Sequence, residues 1–373
     1  MLDFLKFLKW LLKTLFWLIG GLIKAIFGLD QEAEEIKFNG KVITDKSFQI
    51  LNNAFAKDST TAYYKDYAFS YADVPTFEAL DEHYAKDKNR AYYCDEYREG
   101  QNYYLTKKQR VVTIHNADLQ TFISLGNGYA KDKSTAFFDG IAFNVKQVSS
   151  LVSINSYFTK DHVSAYLNRL PVAGSQGKTF ELLEENFAKD ALNIYYYGYT
   201  GEGHPDEERH SICIIPCERA SFKILDYRYS KDDHHVFFLG FTLKGADSKS
   251  FEILTEGYAK DKYKVFFQQK KVEGADPETL EVYVENGQYG HDFNFAHDRS
   301  SVFMDDKKLK IADVATFKVL GENYGSDSKH VFYKTEIVKN ADPATFTVYP
   351  HDFGNADSED ATHKFHEGTK VED

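Results

Sequence analysis

Aromatic and polar residues alternate in short runs along most of this chain, and the runs return at a fixed interval. "YAKDKNRAYY" starts at Tyr84, "YAKDKSTAFF" at Tyr129 and "YAKDKYKVFF" at Tyr258. Each run reads as a short strand holding the tyrosine, a polar turn at Lys-Asp, and a second strand ending in an aromatic pair. An aspartate at such a turn accepts from backbone amides two residues on and tolerates turn geometry. Aligned on that aspartate, the series is Asp58, Asp87, Asp132, Asp161, Asp190, Asp232, Asp261, Asp298, Asp327 and Asp357. The basic step is 29 residues, and steps of 45, 42 and 37 mark insertions in the second, fifth and eighth units.

Other columns keep the same beat. An apolar residue, usually after Thr or Ser, stands ten positions before the aspartate, as in Phe48, Phe77, Phe122, Leu151 and Phe251. "ADPETL" from Ala275 predicts one helical turn, with Asp276 as its cap and Pro277 in the first helical position. A polar tip such as "LG" or "QQ" turns the aromatic strand back into a last short strand. The expected unit is therefore about three short strands plus one helical turn. No such unit buries its aromatic face alone, whereas stacked neighbours do. The fold class that follows is mainly β: tandem repeats of about 29 residues in an open twisted array. A closed propeller is the alternative, although its four-stranded blades run to roughly 40 residues or more.

The first residues are different. On a helix, Lys6, Lys9, Lys13 and Lys24 fall within about 60° of one another, and Leu, Phe, Ile, Trp10 and Trp17 occupy most of the remainder. That pattern predicts an N-terminal membrane helix over residues 1–29, either spanning or lying in the interface plane. An acidic linker over 30–44, the repeat array over 45–359 and a polar tail over 360–373 complete the expected organisation. If the helix spans, the lysines at its start and the acidic residues after it place the array outside the cytoplasm. If it lies in the plane, the protein is peripheral on the cytoplasmic face.

Composition narrows the function classes. Hydrophobic residues at 43% and aromatics at 16% supply a core, and the net charge of −12 is a poor match for nucleic-acid phosphates. Cys94, Cys213 and Cys217 define neither a disulfide framework nor a zinc motif.

The repeated "YAKDKNRAYY", "AKDKYKVFF" and "ADPETL" resemble the DKNYY repeat family of bacteria, over roughly residues 45–350. The resemblance implies an envelope-directed or membrane-anchored protein and carries over no activity and no catalytic residue.

Candidate chemistry is sparse. Calcium would need several oxygens converging on one ion, and the usual neighbour of the repeat aspartate is a lysine. Structural turns are therefore the expected role of the ten aspartates. In the insertion "GYTGEGHPDEERHSIC", His204, Asp206 and His210 are candidate metal ligands, but their spacing matches no zinc pattern. No nucleophile elbow, phosphate loop or dinucleotide fingerprint occurs. The expected function is a non-catalytic binding or scaffold module, tethered to membrane lipid through residues 1–29 and presenting its insertions to a protein or glycan partner. No cofactor and no nucleic acid are expected. An immunity-type protein that neutralises a toxin, and an envelope enzyme with a metal site in the insertions, are the alternatives.

Overall fold

The computed structural model describes residues 37–371, apart from 70, 99–104, 106, 200–209, 256, 284–293 and 350–355. The membrane helix expected over residues 1–29 lies outside the described residues. Among those described, no helix is long and apolar enough to cross a membrane.

The described chain forms ten four-stranded antiparallel sheets and one two-stranded hairpin. Strands follow one another in sequence order within every sheet, so each connection is a hairpin. The seventh unit shows the plan. Its strands are Glu252–Thr255, Tyr258–Lys260, Val265–Phe267 and Lys270–Lys271. Glu252 lies opposite Lys260, Tyr258 opposite Phe267, and Phe266 opposite Lys271. The helical turn is a single 3-10 turn where it is regular, at Val74–Thr76, Val148–Ser150 and Gly177–Thr179. Sequence reading expects about three strands per unit, and the structure has four. The additional one follows the helical turn and is often two residues long, as at Glu181–Leu182, which is too short to show a period of two.

Alternation on the two central strands sorts side chains onto opposite faces. The seventh unit turns Tyr258, Val265, Phe267 and Val272 to one side, where they meet Leu280, Ala296 and Phe303 of the eighth. The same four-against-three arrangement joins the second unit to the third, through Tyr84, Ala91, Tyr93 and Ile114 on one side and Phe122, Ala130 and Phe137 on the other. It also joins the sixth to the seventh. Ring centroids lie 5.0 Å apart for Tyr258–Phe267 and 5.9 Å for Tyr84–Phe122, within the range of favourable edge-to-face pairs. The core is thus a series of sandwiched layers between successive units. The chain divides into two compact parts between His162 and Val163, and these layers recur within each part.

Three sequence boundaries are corrected. The supposed acidic linker contains a hairpin, Lys37–Phe38 with Lys41–Val42, turned by Asn39 and Gly40 at φ 47° and 78°. Its Phe38 ring sits 5.6 Å from Phe48 of the first unit. The supposed polar tail holds the last two strands of the tenth sheet, Lys364–His366 and Thr369–Lys370. The array therefore runs past residue 359, because the tenth turn aspartate is Asp360 and not Asp357. A four-residue insertion precedes that turn, and of the two neighbouring aspartates it is Asp357 that happens to stand nearer the 29-residue step.

Candidate functional site

The recurring Lys-Asp turn is a dense polar constellation whose aspartate is bonded within the fold. One oxygen of Asp87 accepts from the amides of Asn89 (2.6 Å) and Arg90 (2.8 Å). Its other oxygen accepts from the amide of Asp73, 2.8 Å away at the start of the same unit's helical turn. The same long-range bond recurs from Asp118 to Asp132, Gln147 to Asp161, Gln176 to Asp190, Glu218 to Asp232 and Asp247 to Asp261. It continues from Asp276 to Asp298, Asp313 to Asp327 and Asp342 to Asp360. The donor is a backbone amide, so units with Gln147, Gln176 or Glu218 at this position keep this bond, although Gln147 and Gln176 lack the side-chain cap that Asp73 makes to the Thr76 amide.

The hydroxyl before the recurring apolar residue has a role that sequence reading missed. Thr76 Oγ1 accepts from the amide of Lys88 (3.0 Å), and Ser250 Oγ accepts from that of Lys262 (3.1 Å). Equivalent bonds reach Ser47, Thr121, Ser150, Thr179, Ser221, Thr279, Thr316 and Thr345. A Ser or Thr at fixed spacing from the aspartate was the visible signal. Its partner amide, a dozen or more residues away in sequence, was not.

The lysine of Lys-Asp grips the following unit. Lys57 Nζ donates to the carbonyls of Val74 (3.1 Å) and Phe77 (2.9 Å), and Lys131 Nζ to those of Val148, Ser149 and Leu151. Val74 and Val148 open a helical turn and already accept from the amides of Phe77 and Leu151, whereas the Phe77 and Leu151 carbonyls stand where the turn ends and an ammonium supplies the external donor. Burial pulls the Lys131 ammonium below its ordinary range. The tyrosine crosses the same boundary: Tyr84 Oη donates to the Gly128 carbonyl (2.8 Å) and accepts from the Gly140 amide (3.1 Å). Burial raises its phenol well above the ordinary value, so it stays protonated. At Asp357 this side chain is replaced by a carboxylate, which accepts from the Tyr324 hydroxyl (2.8 Å) and the Glu367 amide (2.7 Å).

Electrostatics of the turns predict acid sensitivity. Burial alone would raise the carboxyls of Asp132, Asp190, Asp232, Asp298, Asp327 and Asp360, yet the amides and other donors around them outweigh it and lower all six. Asp360 falls to about 2. A depressed carboxylate stabilises the fold above its unfolded pKa and loses that contribution as pH falls through the folded value. Asp139 and Asp305, raised by burial, act in the opposite sense. Because the lowered group is larger, β-structure is expected to be lost between pH about 4 and about 2. Far-UV circular dichroism measures this, and a signal unchanged down to pH 2 would contradict it.

Insertions are the irregular part. In an antiparallel four-stranded sheet, the first and third connections share one end and the aspartate turn occupies the other. The second and fifth units lengthen the third connection, into Ala91–Tyr97 with Lys108–Ile114 and Ile194–Tyr199 with His210–Ile214. The eighth and tenth lengthen the first, between Val282 and Phe295 and between Val348 and Ser358. Every insertion therefore leaves its own sheet at the end opposite the aspartate turn. The hairpin of the second unit carries a two-pronged pair, Arg110 Nε to Asp95 Oδ1 (2.9 Å) and Nη2 to Oδ2 (2.5 Å), and Glu96 meets Lys65 and Lys107.

Metal chemistry finds no support among the described residues, where no group of three or more His, Cys, Asp or Glu side chains could hold an ion. His210 opens a strand opposite Tyr199, and burial holds its imidazole below the ordinary value. His204 and Asp206 lie outside the described residues, as do Lys6, Lys9, Trp10, Lys13, Trp17 and Lys24. Cys94 is a buried free thiol, and Cys213 and Cys217 are half-buried free thiols.

The DKNYY family model matches residues 24–96, 97–241 and 229–369. The chain belongs to the DKNYY family. The matched segments cover the hairpin at Lys37, the first nine sheets and the tenth as far as Thr369, so the repeat geometry described above is that of a DKNYY array. No curated protein and no solved structure matches the chain.

Proposed function

We propose that this DKNYY protein is a non-catalytic binding or scaffold module of the bacterial cell envelope, tethered to the membrane by residues 1–29. One observation carries the reading: the recurring polar side chains have partners inside the fold, while the variable segments leave the sheets at the end opposite the aspartate turns. A partner is then read by the long hairpins, whose charged and aromatic residues (Asp95, Glu96, Tyr97 and Arg110) suit a protein or glycan surface. The lysine-striped, Trp-bearing N-terminal segment supports the tether and an array held outside the cytoplasm. The array is proposed to be open and not ring-closed, because the tenth unit turns polar side chains to the side on which other units receive a neighbour.

Deleting residues 1–30 is expected to move the protein from the membrane fraction to the soluble fraction, as followed by fractionation and immunoblotting. A full-length protein already in the soluble fraction would refute the tether.

A further inference from the structure

The units are not equivalent at their forward faces. Four positions of a unit meet the next one: the residue three before the turn aspartate, the first and third residues of the third strand, and the residue after or near the end of the fourth. In the seventh unit these are Tyr258, Val265, Phe267 and Val272, and in the eighth Phe295, Val302, Met304 and Leu309. The ninth has Tyr324, Val331, Tyr333 and Val338. In the tenth unit, the same positions hold Asp357, Lys364, His366 and Val371. The residue before the turn aspartate, a gripping lysine in earlier units such as Lys57 and Lys131, is already His297 in the eighth unit and Ser326 in the ninth, and is Glu359 in the tenth. Of the four forward positions, three change from apolar or aromatic residues to charged or imidazole side chains, and Val371 stays apolar.

Their surroundings show that these substitutions are accommodated. Lys364 and His366 are exposed, whereas Phe365 between them is fully buried against Phe346 and Tyr324 of the backward-facing layer. The tenth unit thus keeps the face that receives the ninth and alters the opposite one. Asp357 turns its carboxylate back onto the Tyr324 hydroxyl and the Glu367 amide, so it strengthens the backward contact while removing an aromatic ring from the forward one. An exposed layer of Tyr, Val and Phe would attract any surface that presents the complementary Phe-Ala-aromatic set, including other copies of this chain.

We propose that the tenth unit is a capping repeat, whose polar forward face prevents copies of this chain from associating through it. Terminal repeats with a polar outer face perform this task in stacked-repeat proteins. The test restores the forward layer in the full-length chain with Asp357→Tyr, Glu359→Lys, Lys364→Val and His366→Phe. A second variant carries Lys364→Val and His366→Phe alone, at two exposed positions that leave the Tyr324 contact intact. Sedimentation velocity over a concentration series compares both with the unaltered chain under the same conditions, with circular dichroism confirming the fold. The expected result is self-association of the variants tightened by about tenfold or more relative to the unaltered chain. Folded variants that sediment like the unaltered chain overturn the proposal. If the four-substitution variant fails to fold, the two-substitution variant decides the outcome.

Discussion

Replacing Asp298 with alanine is expected to loosen the eighth unit by about 3 kcal/mol, the upper end for one charge-assisted bond at roughly 1.5–3 kcal/mol, because bonds to one carboxylate are not additive. Asp298 is 0% exposed, and its carboxylate accepts from the amides of Asp276 (3.0 Å) and Ser300 (2.7 Å) and from the Ser300 hydroxyl (3.0 Å). Alanine leaves these donors in place without an acceptor, which costs more than losing a bond in water. The start and the middle of the unit would also lose their tie, since Asp276 starts the helical turn and Asp298 opens the turn after the second strand. Asp298→Asn would keep one acceptor oxygen and should recover part of the loss. Hydrogen exchange is the suitable measurement, because a stacked array does not have to unfold in one step. Protection should fall for the amides around 276–303 and change little in the first unit. Unchanged protection there would mean that the turn closes without the carboxylate.

The second large effect lies between units. Tyr258→Ala is expected to cost about 3–5 kcal/mol, the range for removing a fully buried aromatic side chain. Tyr258 is 0% exposed and packs in the layer with Val265, Phe267, Leu280 and Phe303. Its hydroxyl lies 2.9 Å from both the Asn294 and the Asp305 carbonyls of the eighth unit. Tyr258→Phe keeps the ring and removes the hydroxyl, so it should cost only about 1–2 kcal/mol. Comparing the two by hydrogen exchange separates ring packing from the hydrogen bonds. Both substitutions should lower protection in the seventh and eighth units together, since the residue joins them. An alanine variant indistinguishable from the unaltered chain would rule out the layer as a source of stability.

These two residues also show how much of the protein was legible beforehand. The aspartate's turn was readable, because an Asx turn is local: Asp87 meets Asn89 and Arg90 within three residues. Its second bond, to Asp73 fourteen residues earlier, was not, because it closes only when the helical turn folds back beside the strand. The tyrosine was assigned to a shared core, which is where Tyr258 lies, but its hydroxyl's grip on the next unit was not foreseen. In the sequence, the lysine beside the aspartate argues only against a cation site. Its task, donating to the carbonyls that end the next helical turn, depends on an unrelated segment twenty residues on, as for Lys57 and Phe77. The misplaced tenth turn has the same origin. Asp357 and Asp360 both stand before plausible strands, and only the bonds to Thr362, His363 and Asp342 single out Asp360.

Sequence alone determined the beat, the β class, the turn residues and the family, because each rests on side chains close together in the chain or on a period that repeats many times. Tertiary structure decided the fourth strand of each unit, the division of polar bonds into those within a unit and those between units, and the end of each sheet from which the insertions emerge. It also decided that the tenth unit presents Lys364 and His366 where its predecessors present apolar side chains. The physical reason is the same in each case. A strand two residues long has no period, and a hydroxyl, ammonium or carboxylate acquires its role from the backbone group it meets, which stacking alone brings within reach.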